Sequence, residues 1–492
     1  MMTEPYDSKK HRIVRGLSMT AAAVLLLLVA STGSSKAQEV PDREVVAADV
    51  VALMEEARIE GAAIALIRNG ELKWTLPLGV RSAVSGEPVT EESVFEAALL
   101  SKPVVAYLAH VLSDKGLFNL DRPLAEYLGY DRNVADPRLF EVSARTALMH
   151  STGFPNWRPA GGDLLIEFDP GTSFSYSGEG FVFLQMAMEA ATGRTLESLA
   201  GEFVFEPLGM TRSSFIWKDS FSEHLAVAHD TQGNSLNKFT PSEANAAFSL
   251  HTTIGDYAAF LLALARGEGL NAEGRMALWT PQMSAEDGIY WSEGLGLEPR
   301  REGQALWHWG DQGGYRGYAY ITPNAEEGMV YLSNSENGML ILDRLYDLLL
   351  SGPATSVAWL NYESLDDPGY RLGRRLLDVL AEGGIEAAFE AYDAARADLP
   401  EDAFVEESLN TLGYKLLRQG RVDEAIAMFE LNTVQFPQSY NVYDSLGEAW
   451  YAKGDLDKSL DFYRRSVLLN PENESGKAMI VVIRDRLAQV NR

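Results

Sequence analysis

The sequence predicts an α/β (α+β) chain, with a mainly antiparallel sheet flanked by helices and an all-α tail behind it. Three observations carry that reading. Asn69-Gly70 separates two apolar runs, 62–67 and 72–76, which is the strongest short-range hairpin signal. Alternating or β-rich runs return at 305–309, 318–321 and 329–332, each bounded by Gly, Asn or Pro. Past residue 400, Gly413, Gly420, Ala425, Phe429 and Pro437 recur as Gly447, Gly454, Ser459, Tyr463 and Pro471, every one displaced by 34 positions.

In chain order, the first segment is basic at Lys9, Lys10, His11, Arg12 and Arg15, then apolar from 21 to 30, then small at Ser35-Lys36-Ala37. That order reads as a signal peptide over 1–37, with a periplasmic or secreted protein as the expectation and an uncleaved membrane anchor as the alternative. Helical spacing of apolar residues over 43–58 precedes the hairpin, and further helical segments are expected at 119–124 and 144–153. The front domain spans 43–352 on this reading. A Pro- and Asp-bearing stretch begins a linker over 353–400, and Gly383, Ala388, Tyr392 and Pro400 there hint at a degenerate earlier copy of the repeat. The regular repeats occupy 401–492.

Composition narrows the function. With 492 residues, 46% of them apolar and 23% charged, the chain has length for two or three domains and a large core. A net charge of −28 without any Lys/Arg stripe argues against nucleic acid, whose phosphates would be repelled. No cysteine occurs, which removes disulfides, thiolate chemistry and cysteine metal sites. Neither a His-Glu-x-x-His spacing nor a phosphate-cradling Gly loop is found, so no metal or cofactor is expected.

The stretch that organises the chain is Phe95-Glu96-Ala97-Ala98-Leu99-Leu100-Ser101-Lys102-Pro103. Proline is tolerated only in a helix's first turn, so a helix begins near Leu99 and runs on through Tyr107-Leu108. Here the sequence resembles the serine β-lactamase and penicillin-binding-protein family, in its class C and esterase-like branch, whose helix opens with Ser-x-x-Lys. Residues three apart lie about 60° from each other around a helix, so the hydroxyl and the amine share a face. Lys102 is present, and three residues before it stands Leu99. Ser101 lies about 200° around from Leu99 and should point elsewhere. The literal Ser235-Leu236-Asn237-Lys238 sits in a polar Gly/Asn stretch and reads as a loop.

Two further segments resemble the family. In Pro170-Gly171-Thr172-Ser173-Phe174-Ser175-Tyr176-Ser177-Gly178, the resemblance gives Tyr176 the acid/base role beside Lys102, with Gly178 where the family has Asn. His308-Trp309-Gly310-Asp311 resembles the His-x-Gly strand, whose edge binds substrate backbone, and the N–H groups of Leu99 and Asp311 would be the oxyanion donors. His150, in His150-Ser151-Thr152-Gly153, is expected to pack and cap. The 34-residue register in turn resembles tetratricopeptide repeats, which present surfaces to protein partners.

An acyl-enzyme needs an atom that can become an ester, and Leu99 offers none. The leading expectation is therefore a catalytically impaired hydrolase that keeps Lys102, Tyr176 and His308 and binds a small-molecule, peptide, ester or peptidoglycan-like ligand. The alternatives are an active enzyme of β-lactamase, esterase or D-Ala peptidase type, either through water activated by Lys102 and Tyr176 or as a substituted form of a serine parent. A third reading makes the repeats the working part.

Overall fold

The computed structural model describes residues 14–15, 40–131, 135–159, 161–286, 288–301 and 303–490, so the export segment expected over 1–37 falls almost wholly outside it. Two compact units emerge, 1–362 and 363–492.

The front unit opens with helix α1 (Arg43–Ala57), capped by the Asp42 carboxylate, which accepts from the N–H groups of Glu44 and Val45. Its buried residues Val46, Val50, Met54 and Ala57 form one stripe, as an amphipathic helix requires. Strands β1 (Gly61–Arg68) and β2 (Glu71–Gly79) form the hairpin. Asn69 and Gly70 both take positive φ, 52° and 78°, which is the conformation a two-residue hairpin loop demands.

The sheet is completed from the far end of the unit by β3 (Met283–Glu286), β4 (Ile289–Trp291), β5 (Gly296–Arg300), β6 (Gly303–Gln312), β7 (Tyr315–Ile321) and β8 (Glu327–Ser333). Among the described residues they make one eight-stranded sheet in the order β2-β1-β8-β7-β6-β5-β4-β3, antiparallel throughout. β1 is buried along its whole length, so both of its faces are covered. That explains its continuous apolar run in place of alternation. The helix Ile254–Arg266 packs across β1, β2 and β8.

At the centre of the unit lies α2 (Ser101–Asp114), preceded by a tight 3₁₀ turn over Ala98–Leu100. Every residue from Ser101 to Leu112 is buried, so this helix is enclosed on all sides. The segment before it is pinned to the chain near 250. Phe95 and Glu96 pair with Thr252 and His251, and Ala97 N–H donates to the Leu250 carbonyl at 2.7 Å. The 3₁₀ turn packs onto β6 and β7, where a Cβ at Gly310 would fall 2.6 Å from the Ala97 carbonyl oxygen. Only glycine lets strand and turn approach so closely.

Two helical expectations differ from the structure: of the helix expected over 144–153 only Ala144–Leu148 forms, and the chain turns out of it at His150 with φ 53°. At 119–124 helix forms only from Leu124, in Leu124–Tyr127, because Pro123 stands at its N-cap. The stretch 353–400, read as a linker with a possible degenerate repeat, holds the helices Thr355–Leu360 and Pro368–Ala395. Thr355–Leu360 belongs to the front unit, where Ser356 N–H donates to buried Glu298 at 2.7 Å and its hydroxyl meets Tyr318 Oη at 2.6 Å. Leaving a buried carboxylate without those partners would be costly, which holds the chain past residue 352 against the sheet.

The second unit is helical: Pro368–Ala395, Glu406–Arg418, Val422–Gln435, Tyr440–Lys453, Leu456–Leu469 and Glu474–Val490, each packed on the next. The first is broken at Gly384 (φ 76°, ψ −169°), and its Leu372, Leu376, Ala388 and Tyr392 enter the unit's core. A Cβ at Gly413 would lie 2.5 Å from the Phe429 ring, and one at Gly447 would lie 3.0 Å from the Tyr463 ring. The same small-against-aromatic crossing thus occurs twice, 34 residues apart.

Candidate functional site

The 3₁₀ turn, the loop carrying Tyr176 and strand β6 converge on Lys102. Leu99 is 8% exposed and stands one turn before Lys102, with no hydroxyl to present. Ala98 just before it holds φ +51°, a left-handed conformation costing a non-glycine residue about 1 kcal/mol, kept because the turn is packed from both sides. Ser101 is turned away into backbone. Its hydroxyl donates to the Ala98 carbonyl at 2.7 Å and accepts from Leu250 N–H at 3.0 Å. Ser235-Leu236-Asn237-Lys238 lies in irregular chain with one bridge at Ser235.

Lys102 is fully buried, and its Nζ donates to the Ala247 carbonyl at 3.0 Å and stands 4.8 Å from the Tyr176 ring centroid. No carboxylate pairs with it among the described residues. Burial therefore drives its proton affinity well below the ordinary lysine range. A lysine that gives up its proton this readily can serve as a base.

Tyr176 is half-buried between two aromatic neighbours, with the His150 ring stacked at 4.2 Å and Trp309 at 4.9 Å. His150 holds the loop on both sides of Tyr176: its carbonyl accepts from Ser175 N–H at 2.8 Å and its Nδ1 accepts from Ser177 N–H at 3.0 Å. Accepting at Nδ1 requires the proton on Nε2, so the ring is neutral, and burial with Lys102 and His308 nearby keeps it so. His150→Ala is expected to cost about 3 kcal/mol in unfolding and to speed amide exchange at 175–178. Unchanged protection there would refute the clamp.

His308 is also fully buried, and burial, then Lys102, push its ring down to about 3. Its Nδ1 lies 2.8 Å from the Trp309 carbonyl, which only accepts, so Nδ1 carries the proton. Trp309 is buried among Trp307, Trp359 and Tyr176. Beyond Trp307 the β6 strand has no β5 partner, so the backbone at Gly310 and Asp311 is left unpaired by β5 along that edge. The Asp311 carboxylate is engaged by Arg316 at 3.0 Å and by the Tyr362 hydroxyl. Leu99 N–H lies in the opening turn of a helical segment, where such groups lack intrahelical acceptors.

Gly178 has a neighbour that sequence reasoning missed. A Cβ there would fall 2.4 Å from Trp157 Cζ2, so the indole fills the space a side chain at 178 would need. Twenty-one residues separate the two, and no local pattern links them; an unexplained Gly in place of Asn was the one available hint. Among the described residues no cluster of three or more His, Asp or Glu is placed to hold a metal. The arrangement supplies a buried amine of lowered proton affinity, a phenol and backbone donors, and has Leu99 three residues before the lysine.

Penicillin-binding protein 4 of Amycolatopsis lactamdurans is 29% identical over 195 residues, 36% of this chain and 50% of that protein. Esterase EstB of Burkholderia gladioli is 26% identical over 209 residues, covering 36% and 53%. The chain thus spans about half the length of these curated relatives. Among solved structures, the D-alanine carboxypeptidase AmpC of Burkholderia cenocepacia superposes with a TM-score of 0.55 at 19% identity, over 62% of this chain and 97% of that one. The octameric penicillin-binding protein homologue of Pyrococcus abyssi gives 0.55 at 22% identity, over 69% and 82%. Residues 46–351, more than half of the chain, match the family model described as Beta-lactamase, and the chain belongs to the β-lactamase family.

Proposed function

We propose that this chain is a catalytically impaired member of its family, one that binds a carbonyl-bearing small molecule, peptide, ester or cell-wall fragment without forming an acyl-enzyme. One observation carries the reading: Leu99 stands where the hydroxyl belongs, while Lys102 and Tyr176 remain in contact beside it. A methylene cannot become an ester, whereas backbone donors survive any side-chain change and keep their affinity for a carbonyl oxygen.

The test is labelling of the full chain with a fluorescent penicillin and with p-nitrophenyl acetate. No covalent adduct at position 99 and no burst are expected. An adduct formed at the rate of an ordinary penicillin-binding protein would overturn the proposal. A second reading, general-base hydrolysis by water, is favoured by the buried Lys102 amine, whose proton affinity burial lowers, beside Tyr176. It calls for slow ester turnover without a burst, lost in Lys102→Met.

The helical unit fits a tetratricopeptide-type partner surface, because its glycine-aromatic crossings repeat at that period. The basic-then-apolar segment at 1–37 is proposed as an export signal.

A further inference from the structure

We propose that the outer face of helix Glu474–Val490 is a self-association surface, on which the same helix of a second copy of this chain packs antiparallel about Val481. The surface belongs to the helical unit and does not depend on the state of the cleft.

The 34-residue register is the first support. Positions 413, 447 and 481 are equivalent in it. Gly413 and Gly447 are buried, each against a ring from the helix that follows, Phe429 and Tyr463. The third position is Val481, and it is 58% exposed. The face that both earlier copies cover is therefore uncovered here among the described residues.

Residue type is the second. Met479-Ile480-Val481-Val482-Ile483 is apolar right round the helix, where the equivalent stretches read Thr411-Leu412-Gly413-Tyr414-Lys415 and Ser445-Leu446-Gly447-Glu448-Ala449. Ile483 is buried with Leu460 and Tyr463, and Met479 and Ile480 pack against them. Val481 and Val482, the latter 47% exposed, lie outside that contact. A helix apolar on every side is one covered on every side, and exposed β-branched residues do nothing for helix propensity.

Size and charge identify the occupant. A ring like those at 413 and 447 does not fit at 481, since even a Cβ at Gly447 would lie 3.0 Å from the Tyr463 ring and valine carries two methyl groups beyond it. The partner surface must be small, and this face is small itself: Ala478, Val481 and Ala488 are exposed along it. Glu474, Lys477, Arg484 and Asp485 are the charged groups around them. In an antiparallel pair centred on Val481, Lys477 faces Asp485 of the second copy, and Arg484 lies one turn from its Glu474. A parallel pair would set like charges against each other. Seventeen residues make a helix about 25 Å long, which keeps the interface below the roughly 1,200 Å² of stable complexes. The dimer should therefore dissociate at a concentration on the order of 10 μM.

Sedimentation of the full chain is expected to show mostly monomer at about 1 μM and mostly dimer at about 100 μM. Val481→Lys should weaken the dimer at least about tenfold and leave the melting temperature of the dilute protein unchanged, because the side chain it replaces is exposed. The chain has no cysteine, so an introduced one reports only on its own surroundings. Val481→Cys should give a covalent dimer under mild oxidation. Glu474→Cys should not, because the antiparallel pair holds the two copies of that position about 21 Å apart along the axis. Lys477→Glu and Asp485→Lys should each weaken association, and the two together should restore it. A monomer at about 100 μM, which would leave this face to a different partner, overturns the proposal. So does a dimer that Val481→Lys leaves intact, one that Glu474→Cys cross-links, or a double variant no tighter than its parents.

Discussion

Leu99→Ser is expected to convert a chain that takes no acyl label into one that does, with activated-ester turnover rising about a thousandfold or more. Losing a nucleophile removes nearly all of the chemical step in assemblies of this kind, so restoring it on an intact frame returns a large part of that factor. The frame is in place: Lys102 lies one turn on, Tyr176 faces its amine, and the strained Ala98 still presents residue 99. Rate should rise with pH, because only the deprotonated amine can take the hydroxyl proton, and the rise should begin below the ordinary lysine range because burial depresses the lysine. Lys102→Met in the same background should abolish the gain. The replacement also shortens a nearly buried side chain, so a stability loss of about 2 kcal/mol accompanies it. If Leu99→Ser folds and gains neither label nor turnover, Lys102 and Tyr176 are not poised for catalysis.

Acid should unfold the front unit early. Above pH 6.5 His308 is neutral whether folded or unfolded and contributes no pH dependence. Between 6.5 and about 3 the unfolded chain binds a proton that the folded chain refuses, so stability falls as pH falls. Each pH unit in that window costs about 1 kcal/mol, on the order of 3 kcal/mol by pH 4. His150, lowered in the same direction, adds to the loss. Lys102 acts over a higher range, binding a proton when unfolded and not when folded, so its contribution also fades as pH falls. Eight of the nine tryptophans lie in the front unit, which makes fluorescence-monitored urea unfolding at pH 7 and pH 4 a suitable measurement. His308→Asn should flatten the slope between them. A slope that is unchanged would mean that this imidazole is charged inside the fold.

Much of the fold was legible because local rules reach it. Asn69-Gly70 encodes its turn by the φ values those two residues tolerate, and Pro103 limits where its helix can start. The 34-residue spacing survives into repeated ring-on-glycine crossings because each repeat must solve the same helix-packing problem. What the sequence could not show at the start of the 353–400 stretch is a nonlocal contact: Ser356 satisfies Glu298, a partner 58 residues away. His150 was legible as a packing residue, but not as a clamp on both sides of Tyr176, since that role depends on a loop 27 residues further on.

By itself the sequence determined the family frame and the absence of a hydroxyl at position 99, because element type and covalent identity are local properties. Tertiary structure alone decided that burial depresses the proton affinity of Lys102, that Trp157 occupies the space above Gly178, and that Trp309 is buried among other aromatic rings. Desolvation and close approach depend on what the fold packs around a group. The atoms that impose them here come from as far as 145 residues away, at Ala247.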